Sequence, residues 1–519
     1  MDTKNRINDC VWEITDDGTL VIRPVHENTD GHLFLEESFP DNSCWPWCGK
    51  TFKKIRIEGH VIAGSHIDYM FLKCPALEDV SGIGDLDTSR VESMDGMFSG
   101  CSALRTLAGL EKLDTSGVNY MNYMFAGCTA LKDISALSAW DVGSVQSMNN
   151  LFEFCSALSD ISALKDWNVS RVINMEFTFA GCTVLENITA LSAWNVGSVQ
   201  SMYGLFTDCA ALKDVSSLAK WDTDSLTETS RMFAGCRRLK DISGLKSWET
   251  ERIVDTTFMF YECASLSDIS ALAGWDAANI VTMSCMFFGC TTLKDISALK
   301  NWYTESARNM SGLLYGCTSL EDASPLAGWR VDNVVNMYGM FRECTALRNI
   351  DGLENWNICS VADMDLMFTN CTLLKNRETL LDEWKRKNRR FHSVNSFTLV
   401  VSEERIFPMS DGPMACPREG EFVGWKKCRE GKLVKLLIPA DAKRSSALGK
   451  KCRCDKAQVL EITDMNGSHF ETAYSINDDE FIYRTGETVS VPDFDEDRFH
   501  ECAPGIHFFM DKMSAAKYL

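Results

Sequence analysis

Five side chains near the C-terminus are of the types that carry out chemistry: Cys452, Cys454, Cys502, His500 and His507. Cysteine and histidine are soft metal ligands, and a cysteine beside a histidine is an activated nucleophile. The spacing supports neither role well, because zinc sites usually pair cysteines with two to four residues between them, and here two of them form C-x-C, with one residue between, and the third is far away. We therefore predict no catalytic residue, no metal and no cofactor. Cys502 with His507 is kept as a weak catalytic alternative, and Cys452, Cys454, Cys502 and His507 as a weak metal alternative.

A basic stretch lies in the same region of the chain. Lys443, Arg444, Lys450, Lys451 and Arg453 are close in sequence, and such a loop is a candidate for holding an anionic ligand or a phosphate. A solvated surface on an ordinary interaction or assembly module explains the same residues and is the favoured interpretation.

Most of the chain that precedes these residues consists of a long repeat. Twelve cysteines recur every 27 residues without an insertion. They are Cys74, Cys101, Cys128, Cys155, Cys182, Cys209, Cys236, Cys263, Cys290, Cys317, Cys344 and Cys371. Phe stands three residues before eleven of them, Leu three residues after all twelve, and Trp twelve residues after nine. A fixed period of this length predicts units that stack on their neighbours and share one core, so these cysteines are expected to be buried thiols.

One repeat indicates the architecture. In the unit from Cys128 to Phe152, the segment LKDISAL (131–137) is predicted to be a short strand of a parallel sheet. Val145, Met148, Leu151 and Phe152 have helical spacing and predict a short helix or 3₁₀ turn that returns the chain. The predicted fold is a leucine-rich-repeat solenoid of parallel β-strands with short helical or 3₁₀ returns, in twelve 27-residue units. One stretch, LSAWDVGSVQSM (137–148), recurs nearly unchanged at 191–202, two periods later.

Units that read V..M..MF.GC..L.DIS.L..WD resemble the BspA-like leucine-rich-repeat proteins. The opening segment 12–24 and Trp45-Pro46-Trp47 are similar to the N-terminal cap of that family. The resemblance covers about residues 10–376. It implies the solenoid fold and, since many members are bacterial surface proteins, a surface adhesin as an alternative function.

A ladder of carboxylates recurs five residues after the cysteines. Stacked carboxylates repel each other unless each accepts a hydrogen bond or meets a cation. A structural hydrogen-bond ladder is the favoured interpretation, with calcium sites as the alternative. As candidate binding residues on the predicted sheet face we name Asp133, Asp160, Asp214, Asp241, Asp268 and Asp295.

The chain is predicted to have four parts: an N-terminal β cap (1–58), the solenoid (59–376), a helical C-terminal cap or linker (377–396) and a small β-rich α+β domain (397–519). Residues 420–519 resemble a small bacterial and phage family of unknown function that is often found behind pentapeptide repeats. This resemblance implies no activity.

Charge and composition narrow the function further. The net charge is −21, which disfavours nucleic acid as the main partner. No signal peptide or apolar run of membrane length is visible, so a cytoplasmic location is predicted. We predict a non-enzymatic protein-interaction scaffold whose solenoid sheet face binds protein partners, with the C-terminal domain as an effector or anchoring module. The alternative enzyme would have its active site in residues 420–519, targeted by the repeats.

Overall fold

A computed structural model describes residues 5–34, 45–387, 421–446, 451–464, 468–475, 481–491, 506–509 and 515. Contacts within the chain divide it into two units, residues 1–398 and 399–519. The first consists of a β cap, the stacked repeats and one helix, and the second is β-rich. The predictions for 397–420, Lys450, His500 and Cys502 lie outside the described residues.

The first of the two units, residues 1–398, begins with eight short strands. These are β1 (Arg6–Ile7), β2 (Cys10–Ile14), β3 (Thr19–Pro24), β4 (Gly31–Leu33), β5 (Lys54–Ile57), β6 (Val61–Ala63), β7 (Asp79–Gly82) and β8 (Leu86–Asp87). One sheet has the order β1-β2-β3-β5-β7 and the other β4-β6-β8. β1–β3 pair antiparallel, and from β3 onward the pairing is parallel, as in the repeats that follow. Trp47 packs on Phe71 and donates its indole N–H to the Met70 carbonyl at 2.7 Å, which joins the cap to the first repeat.

Eleven repeats contain a 3₁₀ helix. Their bounds are Ile83–Asp85, Leu110–Lys112, Ser135–Ala139, Ser162–Leu164, Thr189–Ala193, Ser216–Lys220, Ser243–Ser247, Ser270–Gly274, Ser297–Leu299, Ser324–Gly328 and Leu353–Asn355. The chain is thus built of leucine-rich-repeat-like units with a 3₁₀ turn about every 27 residues, as predicted. The details differ, because the predicted strand 131–137 contributes only a bridge at Asp133 before it enters the helix Ser135–Ala139.

The return segment contains turns rather than the predicted helix. The N–H groups of Met148, Asn150 and Phe152 donate to carbonyls 26 residues ahead, at 3.2, 2.7 and 2.8 Å, so they bond the next repeat. The N–H groups between them close turns, such as Leu151 to the Met148 carbonyl at 3.3 Å and Cys155 to the Phe152 carbonyl at 3.0 Å. The prediction of a helix was wrong because consecutive four-residue turns also bury residues at spacings of three and four.

Three ladders of the core run along the stack, beside buried Leu, Met, Ile and Val side chains. Phe rings of neighbouring repeats stack with centroids 5.4–5.8 Å apart. Nine tryptophans donate their indole N–H to a leucine carbonyl 30 residues earlier, from Trp140 to Leu110 at 2.8 Å through Trp356 to Leu326 at 3.0 Å. The third ladder is formed by the cysteines. Each ladder has one side-chain type at one register position, which is why the sequence period survives without insertions.

The twelve ladder cysteines are buried and not disulfide-bonded. From Cys101 onward each thiol donates to the carbonyl 30 residues before it, as Cys101 does to Phe71 at 3.1 Å and Cys371 to Phe341 at 3.0 Å. Burial raises the pKa of Cys128 to about 12, so the thiol stays protonated at neutral pH and is a poor nucleophile. This agrees with the prediction of core thiols.

A helix, α1 (Arg377–Lys387), follows the last repeat. Its Trp384 stacks on Trp356 with centroids 6.2 Å apart and donates to the Leu353 carbonyl at 3.1 Å. The tryptophan ladder therefore continues into the helix, and Trp384 covers the last rung that would otherwise be exposed.

The second unit is a mainly antiparallel sheet. Its strands are β9 (Phe422–Lys427), β10 (Leu433–Ile438), β11 (Arg444–Ser446), β12 (Lys451–Cys454), β13 (Lys456–Thr463), β14 (Thr472–Tyr474), β15 (Ile482–Arg484), β16 (Thr488–Ser490) and β17 (Ile506–Phe509). The main sheet has the order β11-β12-β17-β9-β10-β13-β16, and β14 pairs with β15 separately. The predicted β-rich C-terminal region is confirmed. No helix of the described residues has both the length and the apolar character needed to cross a membrane.

Candidate interaction surface

Each repeat has two surfaces of different character. We call the surface from nine residues before to two residues after each ladder cysteine the turn face, and the surface over the next fifteen residues the 3₁₀ face. The turn face carries 18 charged residues in 144 positions, whereas the 3₁₀ faces of the first eleven repeats carry 41 in 165. The turn face therefore has half the charge density of the 3₁₀ face.

Two positions of the turn face have left-handed backbone in every repeat. They lie five residues and one residue before the ladder cysteine, and they are the third residues of the two consecutive turns, where positive φ is required in a type II turn. Glycine fills ten of these 24 positions. The other fourteen hold side chains: Tyr69, Lys73, Tyr123, Asn150, Phe154, Phe177, Asp208, Arg231, Phe258, Glu262, Cys285, Glu343, Leu366 and Asn370. Bulky residues at positive φ are conformational outliers.

Many of these side chains lie over a glycine of the next repeat. A Cβ added at Gly181 would stand 2.6 Å from Cδ1 of Phe154, and one added at Gly312 would stand 2.7 Å from Sγ of Cys285. Tyr69, Phe177 and Asp208 cover Gly96, Gly204 and Gly235 in the same manner. A side chain at the left-handed position thus points along the stack, and the glycine beneath it leaves the required space.

The exposed apolar side chains are concentrated on this surface. Among described residues of the repeats, thirteen large apolar side chains are exposed, and only Tyr303 lies outside the turn face. The other twelve are Tyr69, Tyr120, Tyr123, Phe154, Ile173, Val184, Val254, Val281, Val335, Tyr338, Leu366 and Leu373. Single exposed apolar residues are ordinary on proteins, but alignment on one surface is typical of a binding site.

Aromatic contacts extend this surface along later repeats. The ring of Tyr261 stacks on Phe288 with centroids 4.8 Å apart, and Phe288 lies 4.3 Å from Tyr315. The Arg342 guanidinium lies 5.0 Å from the Tyr315 ring, within cation–π range. Three aromatic rings and one guanidinium therefore form a row over four successive repeats.

The acidic groups of the two surfaces are in opposite environments. On the turn face, desolvation by burial raises the pKa of Asp95, Asp208 and Glu228. Asp208 as a whole residue is exposed, but its carboxylate lies against Gly235, where other protein atoms surround it. On the 3₁₀ face, the hydrogen bond from the Ser135 backbone lowers the pKa of Asp133, and that from Ser270 does so for Asp268.

The predicted aspartate ladder lies on the 3₁₀ face and is exposed. In each case Oδ1 accepts the backbone N–H two residues later. The acceptors are Asp133 (3.0 Å), Asp160 (2.8 Å), Asp214 (2.6 Å), Asp241 (2.8 Å), Asp268 (2.8 Å) and Asp295 (2.8 Å). These bonds agree with the structural interpretation of the ladder, since they start the 3₁₀ helix. In the described part of the chain, no three His, Cys, Asp or Glu side chains form a group suited to a metal ion.

The structure does not gather the predicted C-terminal site residues at one place. Cys452 and Cys454 are buried and lie opposite Phe508 and Ile506 in the sheet, whereas His507 lies opposite Arg453. Because side chains alternate along a strand, His507 lies on the face opposite to the two cysteines. Among the described residues the metal alternative therefore has no common site, and the catalytic alternative stays a prediction because Cys502 lies outside them.

The predicted basic loop is also divided. Arg444 donates to the Pro439 carbonyl at 2.7 Å and lies 5.1 Å from the Phe422 ring. Arg453 is buried within β12, and Lys451 begins that strand. Lys443 is exposed just before β11.

The repeated pattern of the sequence does not predict the turn-face residues. The available signal was departure from that pattern. Phe154 stands where six other repeats have glycine, and Arg237 stands where the other repeats have small residues.

Comparison with family models gives the relationships of both units. Residues 65–186, 154–271 and 259–384 match the model described as Mycoplasma protein of unknown function, DUF285. Residues 412–515 match the model described as Family of unknown function (DUF5758). No curated protein compared with the chain matches it.

Two solved structures are distant likenesses. A leucine rich cell surface protein from Faecalibacterium prausnitzii is 15% identical with a TM-score of 0.34, covering 71% of this chain and 93% of that protein. A leucine-rich repeat protein from Eubacterium ventriosum is 16% identical with a TM-score of 0.33, covering 71% and 88%. The first family model spans residues 65–384, more than half of the 519 residues, and the chain therefore belongs to the family described as Mycoplasma protein of unknown function, DUF285.

Proposed function

We propose that the chain is a non-enzymatic interaction scaffold whose repeat solenoid presents a recognition surface to a protein partner, with the C-terminal unit as an effector or anchoring module. The observation that carries the proposal is the position of twelve of the thirteen exposed large apolar side chains of the repeats on the turn face. Stacked repeats form extended binding surfaces because a fixed core supports side chains that differ from unit to unit.

Backbone strain on the same face supports this function. Fourteen side chains occupy left-handed positions that glycine fills without strain. Asn150, Asp208 and Asn370 tolerate this conformation, whereas it costs each of the other eleven about 1–2 kcal/mol. Strain of this kind is concentrated where side chains serve recognition or catalysis. The sum of these costs favours a binding role over a purely structural one for these side chains.

The cysteines support the non-enzymatic part of the proposal. The ladder thiols are buried, and burial raises the pKa of Cys371 to about 12 and that of Cys74 to about 11. A thiol that stays protonated supplies neither a nucleophile nor a metal ligand. The cytoplasmic location remains a prediction: free thiols favour a reducing compartment, but Cys48 is disulfide-bonded.

An affinity pull-down with the full chain tests the scaffold. One variant replaces turn-face residues by those that the same positions hold in neighbouring repeats, namely Tyr120→Ser, Tyr123→Asn and Ile173→Gln. The matched control changes the 3₁₀ face with Asp133→Asn, Asp160→Asn and Asp214→Asn, which keep the turn-closing acceptor. We expect partners captured by the wild type to be lost from the first variant and kept by the second.

Two results contradict the proposal. Failure of the wild type to retain any specific partner removes the scaffold function. Loss of the partner from the aspartate variant alone assigns recognition to the aspartate ladder and not to the turn face.

A further inference from the structure

A channel on the turn face brings together residues that occur once among the repeats. It has a volume of about 560 Å³ and runs along the stack between the residue before and the residue after each ladder cysteine, through repeats three to seven. Phe154, Asp208 and Arg237 mark three places along it, separated by small residues such as Ser156 and Thr183. In a repeated structure the other units show what the fold requires, so these departures are not requirements of the fold.

Phe154 forms the apolar end of the channel. It is the only aromatic residue among the twelve that precede a ladder cysteine. Its side chain is held over Gly181 by a backbone with φ of +57°, and 53% of its surface remains exposed. A large side chain that is both strained and exposed contributes little to the core. Its ring is therefore available to pack against an apolar side chain of a ligand.

Arginines form the opposite end. The residue after the ladder cysteine is small in the other repeats, but repeat seven has Arg237, followed by Arg238. Arg237 donates to Glu262 at 2.9 Å while its side chain remains 68% exposed. Arg238 is exposed, and its charge adds to that of Lys213 in lowering the pKa of Glu186. Repeat seven is the one repeat whose turn face carries a net charge of +2, which favours a carboxylate at this end.

Asp208 lies between Phe154 and Arg237 and is the third residue of the channel that would contact a ligand. Its carboxylate covers Gly235, one repeat before Arg237, and desolvation by burial raises its pKa. Glu262 also raises this pKa, while Arg237 and Arg231 lower it, so a cationic side chain placed over Asp208 would add to the two arginines in favouring the charged carboxylate. The hydroxyls between the ends donate along the stack, as Thr183 does to the Ser156 carbonyl at 3.3 Å, so their oxygens remain available as acceptors for a peptide N–H.

The spacing fits an extended chain. Neighbouring repeats are about 4.8 Å apart by strand spacing, and the Phe rings are up to 5.8 Å apart. Phe154 and Asp208 are two repeats apart, about 10–11 Å, which an extended peptide spans in about three residues. Arg237 is one repeat further, or one to two residues. Since this surface belongs to the proposed scaffold, the inference rests on that function.

We propose that the channel from Phe154 to Arg237 binds an extended peptide that carries an apolar side chain, a basic residue three positions away and an acidic residue one or two positions beyond it. The apolar side chain packs on Phe154, the basic one pairs with Asp208, and the acidic one pairs with Arg237 and Arg238.

Selection from a random ten-residue peptide display library with the immobilised full chain tests this binding. We expect the enriched peptides to share the apolar, basic and acidic residues at these spacings. Fluorescence anisotropy with the best labelled peptide then measures the affinity. Phe154→Gly should weaken binding at least fivefold without lowering the melting temperature, because glycine is unstrained at this backbone position. Lys73→Gly, which changes the same position in the first repeat, is the matched control and should bind as the wild type.

A charge exchange makes the test specific. Arg237→Glu should weaken binding at least tenfold, and a peptide with its acidic residue changed to lysine should recover most of that loss. Arg308→Glu, on the same face in repeat ten, should have no effect. Unchanged affinity in Phe154→Gly and Arg237→Glu overturns the channel proposal while leaving the scaffold intact. Selection of no peptide, or light scattering that shows a dimer lost in Phe154→Gly, also overturns it. The pull-down of the full chain decides the scaffold separately.

Discussion

The turn face and the 3₁₀ face share one core and one period, but they differ in the environment of their carboxylates and in backbone conformation. On the 3₁₀ face carboxylates accept backbone hydrogen bonds that lower their pKa, and the surface is highly charged. On the turn face three acids have a raised pKa, and eleven residues other than Gly, Asn and Asp have left-handed backbone. Carboxylates of the turn face also accept backbone N–H groups, as Asp95 does from Asn122 at 2.6 Å and Glu228 from Ser230 at 2.8 Å, so the two faces differ in desolvation and in backbone conformation rather than in hydrogen bonding. This difference supports the turn face as the recognition surface of the proposed function.

The largest effect tests whether the two faces share one core. Phe179 stacks between Phe152 and Phe206 beneath the turn face, and Leu191 is buried beneath the 3₁₀ face. Phe179→Ala should lower the free energy of unfolding by about 3–5 kcal/mol and Leu191→Ala by about 2–5 kcal/mol. Urea unfolding followed by tryptophan fluorescence measures this, because thirteen of the fourteen tryptophans lie in the repeat unit. If either substitution shifts only one part of the unfolding transition and leaves the rest unchanged, the two faces do not belong to one cooperative core.

The next effect tests the requirement for left-handed backbone. Gly181 has φ of +72° beneath the Phe154 ring, so Gly181→Ala should cost about 1–2 kcal/mol from backbone strain and more from the contact. Gly274 ends a 3₁₀ helix on the opposite face and has no atom within 4 Å of an added Cβ. Gly274→Ala should be neutral or slightly stabilising in the same urea titration. Equal losses from the two substitutions would contradict the assignment of strain to the turn face.

A smaller effect concerns the aspartate hydrogen bonds. Asp268 accepts the Ser270 N–H at 2.8 Å, so Asp268→Ala should cost about 0.5–1.5 kcal/mol at pH 7. Since the pKa of Asp268 is lowered in the folded chain, this contribution is complete above the ordinary Asp pKa of about 3.9 and is lost as the pH falls through the folded value.

Asp268→Asn is the control for this bond. It should retain most of the stability, as Asn187 makes the same bond to Thr189 at 2.8 Å. If Asp268→Ala loses the same free energy of unfolding at pH 7 and at pH 2.5, the ionised form of the carboxylate is not what stabilises the fold.

The smallest effect has the opposite sign and belongs to the turn face. Burial raises the pKa of Asp208, so the folded chain binds more protons than the unfolded chain, and stability falls as the pH rises through this pKa. Asp208→Asn removes the charge and should raise the melting temperature by about 1 °C at pH 7, because the residue is partly exposed. The gain should vanish at pH 3, where the carboxyl is protonated in both states. A lower melting temperature at pH 7 would contradict the desolvation of Asp208.

The sequence predicted the core better than the surface. Identical residues at a fixed interval identify buried ladders, because a stack gives every unit the same neighbours, and the cysteine, phenylalanine and tryptophan ladders are all buried. The predicted strand is present in the first repeat as β7 (Asp79–Gly82) but is reduced to a bridge at Asp133. The predicted helix or 3₁₀ turn of the return segment was wrong, since the spacing of Met148, Leu151 and Phe152 is shared by helices and consecutive turns. The glycine of MF.GC was the signal for turns, because it marks positive φ.

The proposed interaction surface consists of residues that differ from the consensus of the repeats, so the consensus does not contain them. Phe154 and Arg237 are visible in the sequence as exceptions, but their position in one channel follows only from the register of the stack. The C-terminal strands were predicted from alternating apolar residues, as in KLVKLLIPA, which contains β10. The separation of His507 from Cys452 and Cys454 required the strand register, which no spacing in the sequence provides.

The placement of side chains over glycines limits how this chain can gain or lose repeats. Removal of residues 155–181 would leave the period intact but would bring Asp208 beneath Phe154 instead of Gly181, and the two side chains would compete for one space. Removal of residues 155–208 would bring Gly235 beneath Phe154 and preserve the arrangement. The nearly identical stretches 137–148 and 191–202 are also two periods apart. Insertion or removal of a pair of repeats, 54 residues, therefore keeps a glycine beneath Phe154, whereas elsewhere in the stack side chains follow each other at the left-handed positions, as Arg231 and Phe258 do with the guanidinium 4.3 Å from the ring.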